Sequence, residues 1–264
     1  MSAEKRKYRL LAMDLDKTLL QDDGSIPDEV LKRFRELRAD GVHFVICTGR
    51  MRRAAEHYAK MIGGGSVVCF NGALVITEDG KEYRSEIPLA LMRKVIDHCY
   101  DDGVYVQLYD GDTIVVDKRA PELETDRDIE FNPVRECGDL RKIDLRPSPK
   151  MIGIDMSGKF DYDIERMDEA IPELTMANSS EYVIEIMLRG IDKGHGLRIA
   201  AESLGIGREE TVAVGDGMND RPMLEWAGLG VAVANADERL KASADHVTEG
   251  KMSYGVLEVM DQFF

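Results

Sequence analysis

Two aspartates, Asp14 and Asp16, follow an apolar run near the start of the chain. The run, residues 8–13, is typical of a buried strand, and open α/β sheets bind ligands beyond the carboxyl ends of their strands. Two carboxylates held close together in a partly dry site repel each other, so they share a proton or hold a cation. The pair therefore indicates a nucleophile with an acid/base partner, a metal site, or both. A plain polar turn in which Asp16 or Thr18 caps the next helix is the alternative.

Thr48-Gly49-Arg50 stands where a second strand-like run, residues 42–47, comes to its end. A hydroxyl group beside exposed backbone N–H groups is suited to binding an anion. A plain strand-to-helix turn with Thr48 as the N-cap would use the same residues. This motif alone therefore leaves both interpretations open.

Lys193 opens a predicted helix and is followed by Gly194. At this place its ammonium group would add to the positive end of the helix dipole and attract an anion. A solvated surface lysine is the ordinary alternative, and the position of Lys193 in the sequence does not decide between the two.

A fourth polar segment, Gly215-Asp216-Gly217-Met218-Asn219-Asp220, follows the apolar run 211–214. Two acids and an amide on a glycine-containing loop are suited to holding Mg²⁺ through oxygen atoms. An ordinary loop in which Asn219 caps the next helix is the alternative. All four segments lie beside strands or helix starts of one predicted sheet, which favours a shared site over four unrelated turns.

The elements that must position these residues alternate along the chain. Strand-like apolar runs are followed by amphipathic helices, a pattern that predicts a parallel sheet covered on both faces. The helix expected over 27–40 is typical, because it starts with a proline, has one apolar face and ends before Gly41. Asp79-Gly80 between two strand-like segments predicts a β-hairpin.

From about residue 85 the pattern changes to hairpins mixed with helices, which predicts a smaller α+β insert with an antiparallel sheet. A helix over 163–170 is expected within this insert, and the simple alternation returns after it. We therefore predict an α/β fold in which residues 1–84 and 189–264 form one Rossmann-like parallel-sheet core. Residues 85–188 form an inserted second domain.

The composition excludes several classes of protein. A net charge of −15 would repel phosphate backbones, so we expect no nucleic-acid partner. No apolar run approaches the ~20 residues of a membrane span, so we expect no membrane partner. The four cysteines are scattered without metal-ligand spacing and no signal peptide is visible, which favours reduced thiols in a cytoplasmic protein.

Taken together, the four segments resemble the four motifs of haloacid dehalogenase-like phosphatases, in order and in spacing. The matching residues are Asp14-Leu15-Asp16-Lys17-Thr18, Thr48-Gly49-Arg50, Lys193-Gly194 and Gly215-Asp216-Gly217-Met218-Asn219-Asp220. The insert between the second and third motifs and the segment Asn71-Gly72-Ala73 resemble the Cof-type subgroup, which carries a large α/β cap domain. One departure is Lys17, where the family often has glycine.

For Asp14 the resemblance implies attack on phosphorus and a covalent aspartyl-phosphate. For Asp16 it implies protonation of the leaving group and then activation of water. It also implies Mg²⁺ as the cofactor, bound by Asp14, Asp216 and the backbone carbonyl of Asp16. The other motif residues would bind substrate and phosphate or support the site: Thr48, Gly49, Arg50, Lys193 and Asn219 in the first role, and Thr18 and Asp220 in the second.

The same resemblance implies a small phosphorylated metabolite as the partner, with the inserted domain as the cap that selects it. Sugar phosphates, phosphoglycolate, pyridoxal phosphate and nucleotides are the candidate types. A phosphomutase of the same superfamily and a non-catalytic phosphometabolite-binding protein are the alternatives. A non-catalytic protein would lack at least one catalytic group, yet Asp14, Asp16, Lys193 and Asp216 are all present. We expect a monomer or a small homo-oligomer.

Overall fold

The computed structural model describes residues 7–121, 123, 127–155, 167–180 and 182–264. The chain divides into two units, one formed by Met1–Tyr83 with Asp192–Phe264 and the other by Arg84–Ile191. The first predicted domain junction lies one residue later than this division, and the second lies three residues earlier. Among the described residues, no helix combines the length and the apolar character needed to cross a membrane. All four cysteines are described, and they form no disulfide.

Strands and helices alternate in the first unit and are mixed in the second. In chain order the described strands are β1 (Leu10–Met13), β2 (His43–Cys47), β3 (Ser66–Cys69), β4 (Leu74–Ile76), β5 (Glu82–Arg84), β6 (Tyr105–Asp110), β7 (Thr113–Val116), β8 (Val134–Glu136), β9 (Met151–Ile154), β10 (Leu174–Ser180), β11 (Val183–Leu188), β12 (Thr211–Gly215), β13 (Leu229–Ala232) and β14 (His246–Val247). The α-helices that are described over their whole length are α1 (Asp28–Ala39), α2 (Arg52–Met61), α3 (Leu89–Asp101), α4 (Lys193–Ser203), α5 (Arg221–Trp226), α6 (Glu238–Lys241) and α7 (Met252–Phe263).

The first unit is built on an eight-stranded sheet with the order β14-β13-β12-β1-β2-β3-β4-β5. Strand β1 lies between β12 and β2 and pairs with both in parallel. The parallel pairing extends from β14 to β3, and β4 then runs antiparallel to β3. The predicted α/β fold with a parallel-sheet core is therefore confirmed. The carboxyl ends of β1, β2, β3 and β12 meet at one edge of this sheet.

Apolar side chains on both faces place β1 inside the first unit. All four of its residues are buried, as expected for a central strand that helices cover on both sides. Helix α1 packs against β2, where the rings of Phe34 and Phe44 meet edge to face with centroids 5.0 Å apart. This helix agrees with the predicted range within one residue at each end.

The turn between β4 and β5 carries Asp79 and Gly80 at its tip. Thr77 donates its backbone N–H to the carbonyl of Lys81 at 2.9 Å, and Gly80 donates to the carbonyl of Thr77 at 2.8 Å. These two bonds close the connection between neighbouring strands of the sheet. The predicted hairpin turn is confirmed.

The second unit contains a six-stranded sheet with the order β10-β11-β9-β6-β7-β8. Its neighbouring strands are antiparallel, except for the parallel pair β7 and β8. Its apolar core joins α3 to one face of the sheet through residues such as Val95, Ile96, Val106 and Leu108. The sequence does not predict β8 or β10. Of the helix expected over 163–170, only 167–170 lie within the described residues, and these are helical.

Candidate active site

Three of the polar segments lie where neighbouring strands of the first unit's sheet end. Asp14 directly follows β1, Thr48 follows β2 and Asp216 follows β12. Because β1 lies between the other two strands, the three side chains start from adjacent positions on one sheet edge. Residues that are far apart in the sequence therefore meet at this edge.

Lys193 connects the first and fourth motifs. It is the first residue of α4, and its side chain is 1% exposed. Its Nζ atom donates to Asp14 Oδ1 at 2.6 Å and to Asp220 Oδ1 at 2.5 Å. Burial disfavours the charged ammonium group, but the two carboxylates outweigh burial and raise the pKa of Lys193. The interpretation of Lys193 as a solvated surface residue is therefore wrong.

Asp220 fixes the loop of the fourth motif. Its side chain is fully buried, and its Oδ2 accepts hydrogen bonds from the backbone N–H groups of Asp216 and Gly217, both at 2.9 Å. Its other oxygen, Oδ1, binds Lys193. Both carboxylate oxygens of Asp220 are thus engaged, and Asp220 links the lysine to the loop that carries Asp216.

The acidic residues of this site form a cluster. Carboxylate oxygens of Asp14, Asp216 and Asp220 lie within 4.8 Å of one another. Burial and the charge of Asp220 raise the pKa of Asp216 to about 6, although Lys193 and a hydrogen bond from Thr18 act in the opposite direction. Burial also raises the pKa of Asp14 well above its usual range, against the effect of Lys193. One ammonium group does not balance three carboxylates, so the charge and the oxygen donors of the cluster suit a divalent cation.

The turn Leu15–Leu19 carries the remaining residues of the first motif. Thr18 is fully buried, and its Oγ1 donates to Asp216 Oδ1 at 3.3 Å. Lys17 has a φ of 59°, a left-handed conformation in which glycine is less strained than lysine. The next helix, α1, begins only at Asp28, so the interpretation of Asp16 or Thr18 as its cap is wrong.

Asp16 binds Arg50 in this structure. Nε of Arg50 donates to Asp16 Oδ2 at 2.7 Å, and Nη2 donates to Oδ1 at 2.5 Å. The Arg50 side chain is 10% exposed and that of Asp16 is 33% exposed. This pair joins the first motif to the second. The arginine expected to bind substrate is therefore held by a carboxylate of the protein.

Thr48 shapes the loop of the second motif. Its Oγ1 accepts a hydrogen bond from the backbone N–H of Arg50 at 3.1 Å, and its own N–H donates to the carbonyl of Val68 at 2.8 Å. Helix α2 begins at Arg52 with Met51 as its N-cap, so the interpretation of Thr48 as the N-cap is wrong. The interpretation of Asn219 as a helix cap is wrong for the same reason, because Asp220 precedes α5.

Asn71 lies at this sheet edge and is not among the residues that the sequence assigns to the site. It follows β3 in the short turn Phe70–Gly72 and is 6% exposed. Its Oδ1 accepts a hydrogen bond from Nδ2 of Asn219 at 3.3 Å. The signal that could have identified it is its place directly after a buried strand, which is also the place of Asp14 and Thr48.

Comparisons with known proteins agree over nearly the whole chain. Residues 11–260 match the family described as haloacid dehalogenase-like hydrolase. The 5-amino-6-(5-phospho-D-ribitylamino)uracil phosphatase YcsE of Bacillus subtilis is 30% identical, over 96% of this chain and 94% of its own length. A phosphoglycolate phosphatase of Methanosarcina acetivorans is 28% identical, over 97% and 96%. The crystal structure of a haloacid dehalogenase-like hydrolase from Bacteroides thetaiotaomicron superposes with a TM-score of 0.87 at 27% identity, covering 98% of this chain and 100% of that one.

Proposed function

Because the chain belongs to the haloacid dehalogenase-like hydrolases, in their Cof-type subgroup, and is a phosphoric monoester hydrolase, we propose that it hydrolyses small phosphorylated metabolites through an aspartyl-phosphate on Asp14, with Mg²⁺ as cofactor. The observation that carries the proposal is the buried ammonium group of Lys193, which bridges Asp14 and Asp220 beside Asp216. Phosphoryl transfer depends mainly on positioning and on neutralising charge, and this cluster offers both a lysine and oxygen donors for a metal.

In the proposed first step, a carboxylate oxygen of Asp14 attacks phosphorus and the bond from phosphorus to the leaving oxygen breaks. Asp16, which enters this step in its protonated form, gives its proton to that oxygen. In the second step, water attacks the phosphorus of the aspartyl-phosphate and Asp16 takes a proton from the water. Inorganic phosphate leaves and the Asp14 carboxylate is regenerated. The contact of Asp14 with Lys193 supports this role, because the ammonium group lowers the pKa of the carboxyl group, against the effect of burial, and so acts toward its ionised, nucleophilic form.

Asp14, Asp216 and the backbone carbonyl of Asp16 are the proposed ligands of Mg²⁺. Their fit rests on the donor chemistry, because carboxylate and carbonyl oxygens are the ligands that Mg²⁺ takes, and on a negative charge that one lysine leaves unbalanced. When bound, Mg²⁺ would supply positive charge between the nucleophile and the phosphoryl group. Asp220 is not assigned as a ligand, because its two oxygens already bind Lys193 and the loop.

We assign binding of the phosphoryl oxygens to Thr48, Gly49, Lys193 and Asn219, with Thr18 and Asp220 as supporting residues. Arg50 is a special case among the proposed substrate-binding residues, because its guanidinium group already binds Asp16. An anionic group of the substrate would have to replace that carboxylate to use the edge of the guanidinium group formed by Nε and Nη2. We therefore place the main action of Arg50 on Asp16.

The unit Arg84–Ile191 is the proposed cap domain that selects the leaving group. The relatives are named for two chemically different phosphates, one with a ribitylamino-uracil group and one with a glycolate group. These names support a small phosphorylated metabolite as the substrate class without favouring one leaving group. A phosphomutase would share the first step but would pass the phosphoryl group to a sugar hydroxyl instead of water.

The test is phosphate release from a panel of phosphorylated metabolites and p-nitrophenyl phosphate, with Mg²⁺, with EDTA, and with Asp14→Asn. We expect release that depends on Mg²⁺ and falls by about 10³-fold or more in Asp14→Asn. Asp22→Asn, an exposed acid outside the motifs, is the matched control and should retain full activity. Release that survives Asp14→Asn would contradict the aspartyl-phosphate. Release only after addition of a sugar acceptor would favour the phosphomutase.

A further inference from the structure

We propose that Asn71 is a positioning residue of this site, which fixes the amide group of Asn219 for binding the phosphoryl group. The inference rests on the proposed function, because that function gives Asn219 its part in the reaction. The sequence draws attention to Asn71-Gly72-Ala73 only as a mark of the subgroup, and the assigned roles leave Asn71 unused.

The turn Phe70–Gly72 is fastened to the loop of the second motif. It follows β3, the neighbour of β2 in the sheet, so it starts from the same edge as the rest of the site. Asn71 donates its backbone N–H to the carbonyl of Thr48 at 2.9 Å, and Phe70 donates to the carbonyl of Arg50 at 3.1 Å. A movement of Asn71 would therefore disturb the loop that holds Thr48 and Gly49.

The side chain of Asn71 lies between the second and fourth motifs. Its Oδ1 accepts the hydrogen bond from Nδ2 of Asn219 at 3.3 Å. On the other side, a Cβ atom added to Gly49 would lie 3.1 Å from the same oxygen, closer than an ordinary van der Waals contact. The absence of a side chain at Gly49 thus leaves the space in which the Asn71 amide group lies.

The backbone of this turn is held in a conformation that most residues disfavour. Phe70 and Asn71 have φ values of 49° and 50°, and Gly72 has a φ of 108°. A Cβ atom on Gly72 would lie 2.1 Å from the carbonyl oxygen of Asp192, the residue before Lys193. The turn therefore touches the start of the lysine's helix as well as the second motif. Such strained segments persist where their surroundings fix them, and they cluster at functional sites.

The contact with Asn71 restricts the direction of the Asn219 amide group. A side-chain amide carries two N–H hydrogens, and one of them binds Asn71 Oδ1. Rotation of the Asn219 side chain is then limited, and the second hydrogen keeps a defined direction. Donors oriented in advance stabilise charge on a phosphoryl group better than donors that must turn during the reaction. Asn71 therefore acts through Asn219 and does not itself need to touch the substrate.

The test is a double-mutant cycle with Asn71→Gly and Asn219→Ala. For each variant we would measure kcat and KM with p-nitrophenyl phosphate. Calorimetry would give the dissociation constant of orthovanadate in the presence of Mg²⁺. Glycine keeps the left-handed backbone and removes the amide side chain. We expect Asn71→Gly to lower kcat and to weaken orthovanadate binding about tenfold, with KM changed less. Because Asn71 acts through Asn219, the double variant should be no worse than Asn219→Ala alone.

Two further variants separate positioning from folding. Asn71→Asp keeps an acceptor oxygen and should retain more activity than Asn71→Gly. Met252→Gly is the matched control, because Met252 has a φ of 51° at the start of α7, outside the motifs, and should leave kcat unchanged. The role of Asn71 would be overturned if the losses of kcat and orthovanadate affinity from the two substitutions add in the double variant. It would also be overturned if Asn71→Gly leaves both quantities unchanged. If the wild-type protein shows no turnover, the proposed function is contradicted instead. The double-mutant cycle measured by orthovanadate binding would then still test the role of Asn71.

Discussion

Arg50 and Asp16 form a two-point ion pair, in which Nε meets Oδ2 at 2.7 Å and Nη2 meets Oδ1 at 2.5 Å. A guanidinium group bound in this way fixes the plane of a carboxylate as well as its position. The residue proposed to move protons during hydrolysis is therefore held in one orientation by a residue of the second motif.

Replacing Arg50 by lysine keeps the positive charge but removes the two-point contact, so Asp16 should lose its fixed orientation. Proton donation matters most for poor leaving groups. We therefore expect activity with alkyl phosphates to fall about tenfold or more and activity with p-nitrophenyl phosphate to fall less. Steady-state kinetics with both substrates measures the difference, and Arg53→Lys on α2 is the control. An equal loss with both substrates would show that Arg50 does not act through Asp16.

Replacing Lys193 by methionine removes the ammonium group from between two buried carboxylates. We expect the free energy of unfolding to fall by about 3–5 kcal/mol, together with loss of phosphatase activity. Urea denaturation measures the change, with the exposed Lys60→Met as the control. Adding Asp220→Asn should return part of the stability but none of the activity, because one of the two unpaired charges is then gone. If the Lys193→Met protein is as stable as the wild type, the buried ammonium group does not contribute to the free energy of unfolding.

The pKa of Asp216 predicts opposite effects of pH on folding and on metal binding. Its folded value of about 6 lies above the 3.8 of an ordinary aspartate, so the metal-free folded state favours the protonated carboxyl group. The contribution of the Asp216 carboxyl group to the free energy of unfolding is therefore fully present below about pH 3.8. It is lost as the pH rises through about 6. The raised pKa of Asp14 acts in the same direction. Metal binding needs the ionised groups, so Mg²⁺ affinity should fall at least tenfold per pH unit below about pH 6.

Thermal unfolding between about pH 4 and 8, in EDTA and in saturating Mg²⁺, measures both effects. In EDTA the melting temperature should decrease across the window in which Asp216 ionises, and Mg²⁺ should reverse the decrease at the upper end. Asp216→Asn should remove the part of this dependence that comes from Asp216 and leave the part that comes from Asp14, whereas Asp22→Asn should leave the dependence unchanged. A Mg²⁺ dissociation constant that stays the same from pH 5 to 7 would contradict the assignment of these ligands.

Replacing Lys17 by glycine should stabilise the turn of the first motif. Lys17 has a φ of 59°, and its carbonyl accepts a hydrogen bond from Asn235 Nδ2 at 2.8 Å, which fixes the backbone there. Glycine relieves the left-handed strain but loses more chain entropy on folding, so we expect a gain of up to about 1 kcal/mol. Urea denaturation measures the free energy of unfolding of this variant and of Lys17→Ala, in which the strained backbone conformation remains. A glycine variant less stable than the alanine variant would rule out strain at this position.

The parallel core could be predicted from the sequence because β1, β2 and β12 are buried almost throughout and read as continuous apolar runs. Strands β8 and β10 could not be predicted in this way. The residues of β8 are Val-Arg-Glu, two of them exposed, and β10 ends in Asn-Ser-Ser. Their strand conformation depends on pairing with β7 and β11, and a local pattern does not contain those neighbours.

The sequence could likewise predict that Asp14, Thr48 and Asp216 start from one sheet edge, because each follows a recognisable strand. It could not predict which partner each side chain binds. The contacts of Arg50 with Asp16 and of Asn71 with Asn219 depend on side-chain directions across loops that are not adjacent in the chain. The sequence therefore predicted the shared sheet edge but not the pairing of side chains at it.

Strand β1 lacks its second neighbour while the chain is being synthesised. It pairs on one side with β2, which is synthesised soon after it. On the other side it pairs with β12, which is synthesised only after the whole of Arg84–Ile191. Until β12 has been synthesised, the backbone N–H and C=O groups along that edge of β1 are unpaired. A strand of another chain can form hydrogen bonds with them. The described strands of the second unit's sheet all belong to its own segment, so this sheet can form before β12 is synthesised. The nascent amino-terminal segment is therefore more exposed to aggregation than the finished protein.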